Sequence, residues 1–219
     1  MKSNINNIEL NYEVSGQGQP IILLHGNGED HSIFDVLTKQ LSEKFTVYAI
    51  DSRNHGKSTK TDQLSYQLMA EDIVEFIATN KIEKPILYGF SDGGIIGLLI
   101  ACQYPTLLSK LIISGANSNP QALMWYWRVW FHIYYFFTRS AKMRLMMREP
   151  NITKDDLNKI EIPTLVLAGE KDLVKENDTR FIAGNIKNAT LNILPNENHS
   201  SYVVHSPKLY NIIKHFIGA

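Results

Sequence analysis

A Gly-x-Ser-x-Gly pentapeptide, GFSDG at residues 89–93, constrains this chain more than any other feature. The apolar residues before it, 86–88, predict a buried strand, and residues 93–103 predict a buried helix. A serine on such a tight strand-to-helix turn holds its hydroxyl above the edge of a sheet. The turn also lies at a helix N-terminus, whose free N–H groups favour a developing negative charge. We therefore interpret Ser91 as a nucleophile.

The rest of the chain alternates between apolar, β-branched runs and amphipathic stretches. Strands are predicted at 8–14, 21–24, 45–50, 86–88, 111–114, 164–168 and 190–194, and helices at 34–41, 66–79, 93–103 and 207–217. This alternation predicts an α/β fold, a mostly parallel doubly wound sheet. The alternation stops between residues 119 and 158, which we interpret as a helical insertion lying on top of the sheet. Residues 1–118 and 159–219 would form the core of one domain.

A second backbone donor for an oxyanion must come from a loop beside Ser91. The motif HGNG at 25–28 directly follows a predicted strand, and its glycines allow close approach to a substrate. We assign the two donors to the backbone N–H groups of Asn27 and Asp92. The alternative is an ordinary glycine-rich turn.

Acid and base candidates lie in two loops after later strands. Asp172 follows the strand at 164–168, and His199 follows the strand at 190–194. These loops should meet at the sheet edge that carries Ser91, where open α/β sheets bind ligands. His199 would take the serine proton and Asp172 would orient its ring. Glu170 is a rival acid and His205 a rival base.

Five segments together resemble the α/β-hydrolase superfamily, in particular its serine hydrolases and esterases. They are LLHGNG at 23–28, DSRNHGKS at 51–58, GFSDGG at 89–94, PTLVLAGEKD at 163–172 and NENHSSY at 196–202. The resemblance implies a sheet of the α/β-hydrolase type, with a small helical cap inserted after the sixth strand. It also implies a Ser91-His199-Asp172 triad, because the Gly-x-x-Asp placement favours Asp172 over Glu170. The residue after the nucleophile is often uncharged in this family, so the Asp92 carboxylate should point away from the oxyanion.

The expected reaction is hydrolysis of a carboxylic ester or related acyl bond through an acyl-serine intermediate. Acyl transfer, lactone hydrolysis and carbon–carbon bond hydrolysis use the same side chains and remain alternatives. A ligand receptor or partner-binding protein that keeps the triad is a further alternative outside enzymology. We expect no cofactor and no metal, because no histidine or carboxylate pair has zinc-helix spacing.

The insertion has an unusual composition. Residues 121–148 hold nine aromatic and five basic side chains and no acidic one. The aromatic residues could pack on the sheet edge, form a hydrophobic pocket roof with Met124, Trp125, Trp130 and Tyr134 as substrate-binding residues, or contact a membrane interface or a partner. The basic residues suggest substrates with a distal negative charge, bound through Arg128 and Arg144.

Bulk composition limits the partners. Lys plus Arg and Asp plus Glu both number 22, so no global charge favours nucleic acid. The single cysteine, Cys102, allows no intrachain disulfide. No apolar window reaches the length of a membrane span, and the first residues lack the apolar region of a secretory signal. We expect a cytoplasmic protein that acts on a small acyl substrate, hydrophobic or anionic, whose oligomeric state the sequence leaves open.

Overall fold

One eight-stranded sheet organises the chain in the computed structural model, which describes residues 1–219. Its strands lie in the spatial order β1-β2-β4-β3-β5-β6-β7-β8. They are β1 (Lys2–Ile5), β2 (Ile8–Ser15), β3 (Gln19–Leu24), β4 (Phe45–Ile50), β5 (Ile86–Phe90), β6 (Lys110–Ser114), β7 (Thr164–Lys171) and β8 (Ala189–Asn198). Strands β3 to β8 pair in parallel, and β1 and β2 form an antiparallel edge.

Helices cover both faces of the sheet. They are α1 (Asp35–Leu41), α2 (Tyr66–Thr79), α3 (Asp92–Gln103), α4 (Trp125–Thr138), α5 (Ala141–Arg148), α6 (Lys154–Leu157), α7 (Glu176–Gly184) and α8 (Lys208–Ile217). One large apolar cluster joins the sheet to α2 and α3, and a second joins it to α1 and α8. Both faces of the central strand β5 are therefore buried, as its continuous apolar run predicts. The predicted doubly wound fold is confirmed.

Several elements differ from the sequence-based expectations. The edge strand β1 was not predicted, and it joins β2 through Asn6 and Asn7, which both have positive φ angles of 44° and 61°. Helix α7 was also not predicted. Strands β7 and β8 extend beyond the predicted residues 164–168 and 190–194. This extension brings Asp172 and His199 directly after the ends of their strands.

The insertion contains helices and no strand of the sheet. Helices α4 and α5, which we call the cap helices, bury one residue each: Phe131 packs in a small cluster with Leu123 and Val174, and Leu145 belongs to the large core cluster. Leu157 of α6 and the following Ile160 are fully buried in the same large cluster. The C-terminal part of the insertion therefore shares the core of the rest of the chain. No helix in the structure combines the length and the apolarity needed to cross a bilayer.

Candidate active site

Ser91 occupies the strained turn between β5 and α3. Its backbone has φ 52° and ψ −113°, a conformation that costs free energy in any residue except glycine. The Ser91 N–H donates to Ser114 O at 2.8 Å, which ties the turn to β6. A Cβ atom at Gly93 would lie 2.1 Å from Leu24 O of β3. The second glycine of the pentapeptide is therefore needed for α3 to start so close to the sheet.

His199 bridges the serine and a carboxylate. Its Nε2 lies 3.1 Å from Ser91 Oγ, and its Nδ1 lies 2.6 Å from Asp172 Oδ1. The ring packs against Phe90 with 4.9 Å between ring centroids. Gly115, which sequence reasoning missed, has φ +62°, and a Cβ there would come within 2.6 Å of the imidazole. A glycine directly after a central strand is the signal that could have indicated this close approach.

Asp172 is buried at the end of β7 and held by three hydrogen bonds. Besides His199, the backbone N–H of Val174 donates to Oδ1 at 3.0 Å and that of Gly169 donates to Oδ2 at 3.3 Å. Burial raises the pKa of the Asp172 carboxyl, but the bond from His199 and the two backbone donors outweigh it and hold the pKa below its ordinary value. The carboxyl is therefore ionised at neutral pH and accepts from Nδ1–H.

The alternative acid, Glu170, and the alternative base, His205, lie outside this site. The carboxylate of Glu170 is exposed and accepts a hydrogen bond from the backbone N–H of Asn196 at 2.8 Å. The exposed ring of His205 pairs with Asp35 on α1 at 2.9 Å. Neither side chain contacts Ser91 or His199, so the structure brings together Ser91, His199 and Asp172 and leaves the alternatives outside.

The loop after β3 and the first residue of α3 provide two unused backbone donors. Neither the backbone N–H of Asn27 nor that of Asp92 donates a hydrogen bond to another backbone group. The Asp92 carboxylate accepts instead from Asn27 Nδ2 at 2.9 Å and from Tyr66 OH at 2.7 Å, away from the serine. Burial raises the pKa of the Asp92 carboxyl, and these two hydrogen bonds partly oppose that rise.

A cavity of about 630 Å³ opens over Ser91, a typical size for a small-molecule site. Much of its wall is apolar and is formed by the cap helices, the end of β5 and the loop after β7: Phe90, Trp127, Trp130, Phe131, Tyr134, Met143, Met146 and Leu173.

Of the four predicted roof residues, the structure places Trp130 and Tyr134 at this wall. Trp125 and Met124 lie outside it, because Trp125 starts α4 with 70% exposure and Met124 precedes the helix. The spacing 127, 130, 131 and 134 marks one helix face and could have selected the correct residues.

Two charged side chains line the cavity that sequence reasoning did not assign, Glu29 and Lys142. Burial raises the pKa of the Glu29 carboxyl, although the N–H of Gly26 donates to it at 3.0 Å. Burial lowers the pKa of the Lys142 ammonium, and the nearby charge of Lys60 adds to this effect.

The suggested anion-binding residues Arg128 and Arg144 do not line this cavity. Arg128 borders a separate, smaller one, and Arg144 donates to Asp62 O. On α5 it is Lys142, two positions before Arg144, that faces the cavity.

One group of possible metal ligands lies outside the cavity wall. Ligand atoms of Asp30, His31 and Asp51 lie within 4.8 Å of one another. However, Asp51 already accepts hydrogen bonds from His31 Nδ1 at 2.6 Å, from Asn11 Nδ2 at 2.9 Å and from the Lys57 N–H at 2.8 Å. Its carboxylate therefore holds together the strand and loops that carry these three donors.

Comparison with known proteins gives the class that fold and site define. A model of the alpha/beta hydrolase fold family matches residues 19–142. The chain belongs to this family, which confirms the resemblance noted from the sequence. It is 28% identical to the serine hydrolase BPHL of Homo sapiens, over an alignment that covers 99% of this chain and 85% of the relative.

Two further matches extend the comparison. The sn-1-specific diacylglycerol lipase ABHD11 of Xenopus laevis is 34% identical over 115 residues, which is 50% of this chain and 37% of the lipase. The esterase EaEST of Exiguobacterium antarcticum superposes with a TM-score of 0.86 at 21% identity, covering 99% of this chain and 98% of that one. This last likeness shows the fold alone.

Proposed function

We propose that this alpha/beta hydrolase is a carboxylesterase-like serine hydrolase that cleaves acyl esters through an acyl-serine intermediate. The observation that carries the proposal is the position of His199, 3.1 Å from Ser91 Oγ and 2.6 Å from Asp172 Oδ1. Such a chain of hydrogen bonds is what a serine needs to become nucleophilic at neutral pH.

In the first half-reaction, Ser91 Oγ attacks the acyl carbon while its proton passes to His199 Nε2. The carbonyl oxygen becomes an oxyanion that accepts from the N–H groups of Asn27 and Asp92. The ionised Asp172 stabilises the imidazolium. The C–O bond to the leaving alcohol then breaks, and His199 Nε2 returns the proton to the alcohol oxygen.

In the second half-reaction, water replaces the alcohol. His199 removes a proton from the water as its oxygen attacks the acyl-serine carbon, and a second oxyanion forms. When the bond to Oγ breaks, His199 donates the proton back to Ser91 and the carboxylic acid leaves. No group beyond these side chains and backbone donors is required.

The cavity wall favours an apolar acyl group. Its aromatic and methionine side chains have few polar atoms, and burying each acyl CH₂ there contributes about 0.8 kcal/mol. The names of the serine hydrolase and the diacylglycerol lipase that the chain resembles agree with ester substrates. We therefore expect medium-length acyl esters to be better substrates than acetate esters.

A panel of p-nitrophenyl esters of increasing acyl length tests the proposal. We expect kcat/KM to rise by about three- to fourfold per CH₂ until the cavity is filled and then to stop rising. Absence of turnover across the panel, with Ser91 still labelled by a fluorophosphonate probe, would favour a receptor role. Ester rather than acid products in the presence of an added alcohol would indicate acyl transfer.

Asp92 offers a test of how the oxyanion loop is held. We expect Asp92→Ala to lower kcat about tenfold or more with little change in KM, because Asn27 loses the bond that positions its backbone N–H. The free energy of unfolding should also fall by about 1–3 kcal/mol, since the buried Tyr66 hydroxyl loses its partner. Steady-state kinetics and thermal unfolding measure both effects.

Tyr66→Phe is the matched control. It removes the other hydrogen bond to the same carboxylate but keeps the bond to Asn27. It should lower stability without lowering kcat. An equal loss of kcat in both variants would contradict a positioning role for Asp92.

Lys142 is proposed to recognise a negative charge on the substrate, the role first suggested for Arg128 and Arg144. It is the one basic side chain besides His199 at the cavity wall. We expect Lys142→Met to lower kcat/KM about tenfold for a p-nitrophenyl ester that ends in a carboxylate. Turnover of a neutral ester of equal length should change little. Arg144→Met, on the same helix, should leave the ratio of kcat/KM for the anionic ester to kcat/KM for the neutral ester unchanged. A similar loss in both variants would contradict the assignment of Lys142.

A further inference from the structure

Helix α4 concentrates exposed apolar surface that the proposed reaction does not use. Nine of the thirteen exposed large hydrophobic residues of the chain lie on this single helix of 14 residues. Phe137 is 77% exposed, Trp125 70% and Phe136 64%. Only Phe131 of the helix is buried. A continuous exposed patch of this kind marks a surface that another apolar phase covers.

The side chains of the patch have the chemistry of a membrane interface. Tryptophan and tyrosine combine an apolar ring with a polar group and are enriched where hydrocarbon meets headgroups. A basic side chain flanks the rings, because Arg139 lies 5.6 Å from the ring centroids of Tyr135 and Phe136. A second basic residue, Arg144, is exposed on the adjoining α5. Residues 121–148 contain no acidic side chain. Positive charge beside exposed aromatic rings complements anionic lipid headgroups.

We propose that α4 lies in the plane of an anionic lipid bilayer, with its exposed aromatic side chains inserted below the headgroups. At 14 residues the helix is too short to span the hydrocarbon core, so it binds at the interface. This binding depends on the surface of α4 and not on the role of Ser91.

The same helix connects the bilayer to the cavity over Ser91. Trp127, Trp130 and Tyr134 line that cavity while remaining partly exposed. An acyl chain leaving the bilayer along α4 would therefore meet the cavity wall without crossing water.

A second copy of the chain would cover α4 less well. Two α4 helices packed face to face would bring together two sets of basic residues, and residues 121–148 supply no carboxylate to compensate them. Like charges brought together at an interface oppose association. Anionic lipid headgroups supply the missing negative charge.

Intrinsic tryptophan fluorescence can report the binding of α4 to a bilayer. All three tryptophans, Trp125, Trp127 and Trp130, lie on α4. When the full-length protein is mixed with vesicles of phosphatidylcholine and phosphatidylglycerol, we expect the tryptophan emission to shift to the blue. Lipids brominated in the upper acyl chain should quench it. Pure phosphatidylcholine vesicles should give a weaker response, and added salt should reduce binding to the anionic vesicles.

Surface variants separate the contribution of the apolar side chains to vesicle binding from that of the basic side chains. Phe136→Ser combined with Phe137→Ser should weaken vesicle binding at least tenfold in a flotation assay, and neither side chain lines the cavity. Arg139→Gln and Arg144→Gln should each reduce binding to anionic vesicles about fivefold. Tyr104→Ser, an exposed aromatic residue just after α3 at the opposite sheet edge, is the matched control and should change nothing. Turnover of a short soluble ester by the phenylalanine variant should equal that of the wild type.

Two results would overturn the proposal. One is the absence of both flotation and bromolipid quenching with anionic vesicles. The other is a dimer in analytical ultracentrifugation that the phenylalanine variant abolishes, without lipid quenching in the wild type. That second result would show that another copy of the chain covers α4.

Discussion

Replacing Ser91 by alanine should lower kcat/KM for the best p-nitrophenyl ester by roughly 10⁴- to 10⁶-fold, as in serine hydrolases whose nucleophile is removed. In the proposed mechanism the hydroxyl oxygen forms the bond to the acyl group, and His199 Nε2 lies 3.1 Å from this oxygen. Labelling by a fluorophosphonate probe should disappear together with turnover. The fold should persist, because alanine adds no atoms to the turn and keeps the backbone hydrogen bond from residue 91 to Ser114.

Ser140→Ala is the matched control for this variant. Ser140 lines the same cavity, but its hydroxyl caps no helix and lies in the insertion. Turnover and labelling should stay within about twofold of the wild type. Retained probe labelling in the Ser91 variant, or equal losses in both variants, would contradict the assignment of the nucleophile.

The location of this candidate site can be predicted from the sequence because its residues lie at strand ends. A parallel sheet brings the carboxyl ends of its strands to one edge, so the order of strands alone places Ser91, Asp172 and His199 near one another. Their approach to hydrogen-bonding distance depends on the longer β7 and β8. These extensions contain Glu170, Lys171, Pro195 and Asn196, whose polar or cyclic side chains indicate a loop in local sequence patterns.

The orientation of the cap helices could not be predicted with the same success. Helix α4 is apolar around most of its circumference, so its periodicity does not identify a buried face. The structure selects the face of Phe131 because Leu123 and Val174 form a small cluster there. Trp125 and Met124 were consequently assigned to the pocket, whereas Trp127 and Lys142 were missed.

The hairpin of β1 and β2 at the edge of the sheet was missed for a different reason. Strand β1 has the sequence KSNI, in which polar residues dominate, and no continuous apolar run marks it. Its pairing with β2 depends on two consecutive asparagines at positive φ, a turn that asparagine tolerates better than most residues. Local turn chemistry, rather than hydrophobic patterning, was the available signal.

Asp172→Asn is expected to have the second-largest effect, a fall in kcat of roughly 10⁴-fold with KM nearly unchanged. The asparagine amide can turn its NH₂ group toward His199 Nδ1, which then accepts and leaves the proton on Nε2. A protonated Nε2 cannot take the proton of Ser91. The loss should therefore appear in kcat, measured by steady-state kinetics at neutral and mildly alkaline pH.

The pKa of Asp172 adds a second readout. Because the folded state holds this pKa below its ordinary value, the ionised carboxylate stabilises the wild type at neutral pH. That contribution is lost as the pH falls through the lowered pKa. The stability difference between wild type and Asp172→Asn should therefore be largest near neutral pH and shrink in acid, which thermal unfolding at several pH values measures.

Glu170→Gln tests whether Asp172 or its neighbour Glu170 orients the imidazole of His199. The two carboxylates lie two residues apart in the sequence, yet Glu170 bonds to the backbone of Asn196 while Asp172 bonds to His199. Glu170→Gln should keep kcat within about twofold of the wild type, as expected for a surface substitution. If instead the glutamine variant lost activity while Asp172→Asn retained it, the imidazole would be oriented by Glu170 in a rearranged loop, and the proposed triad would be wrong.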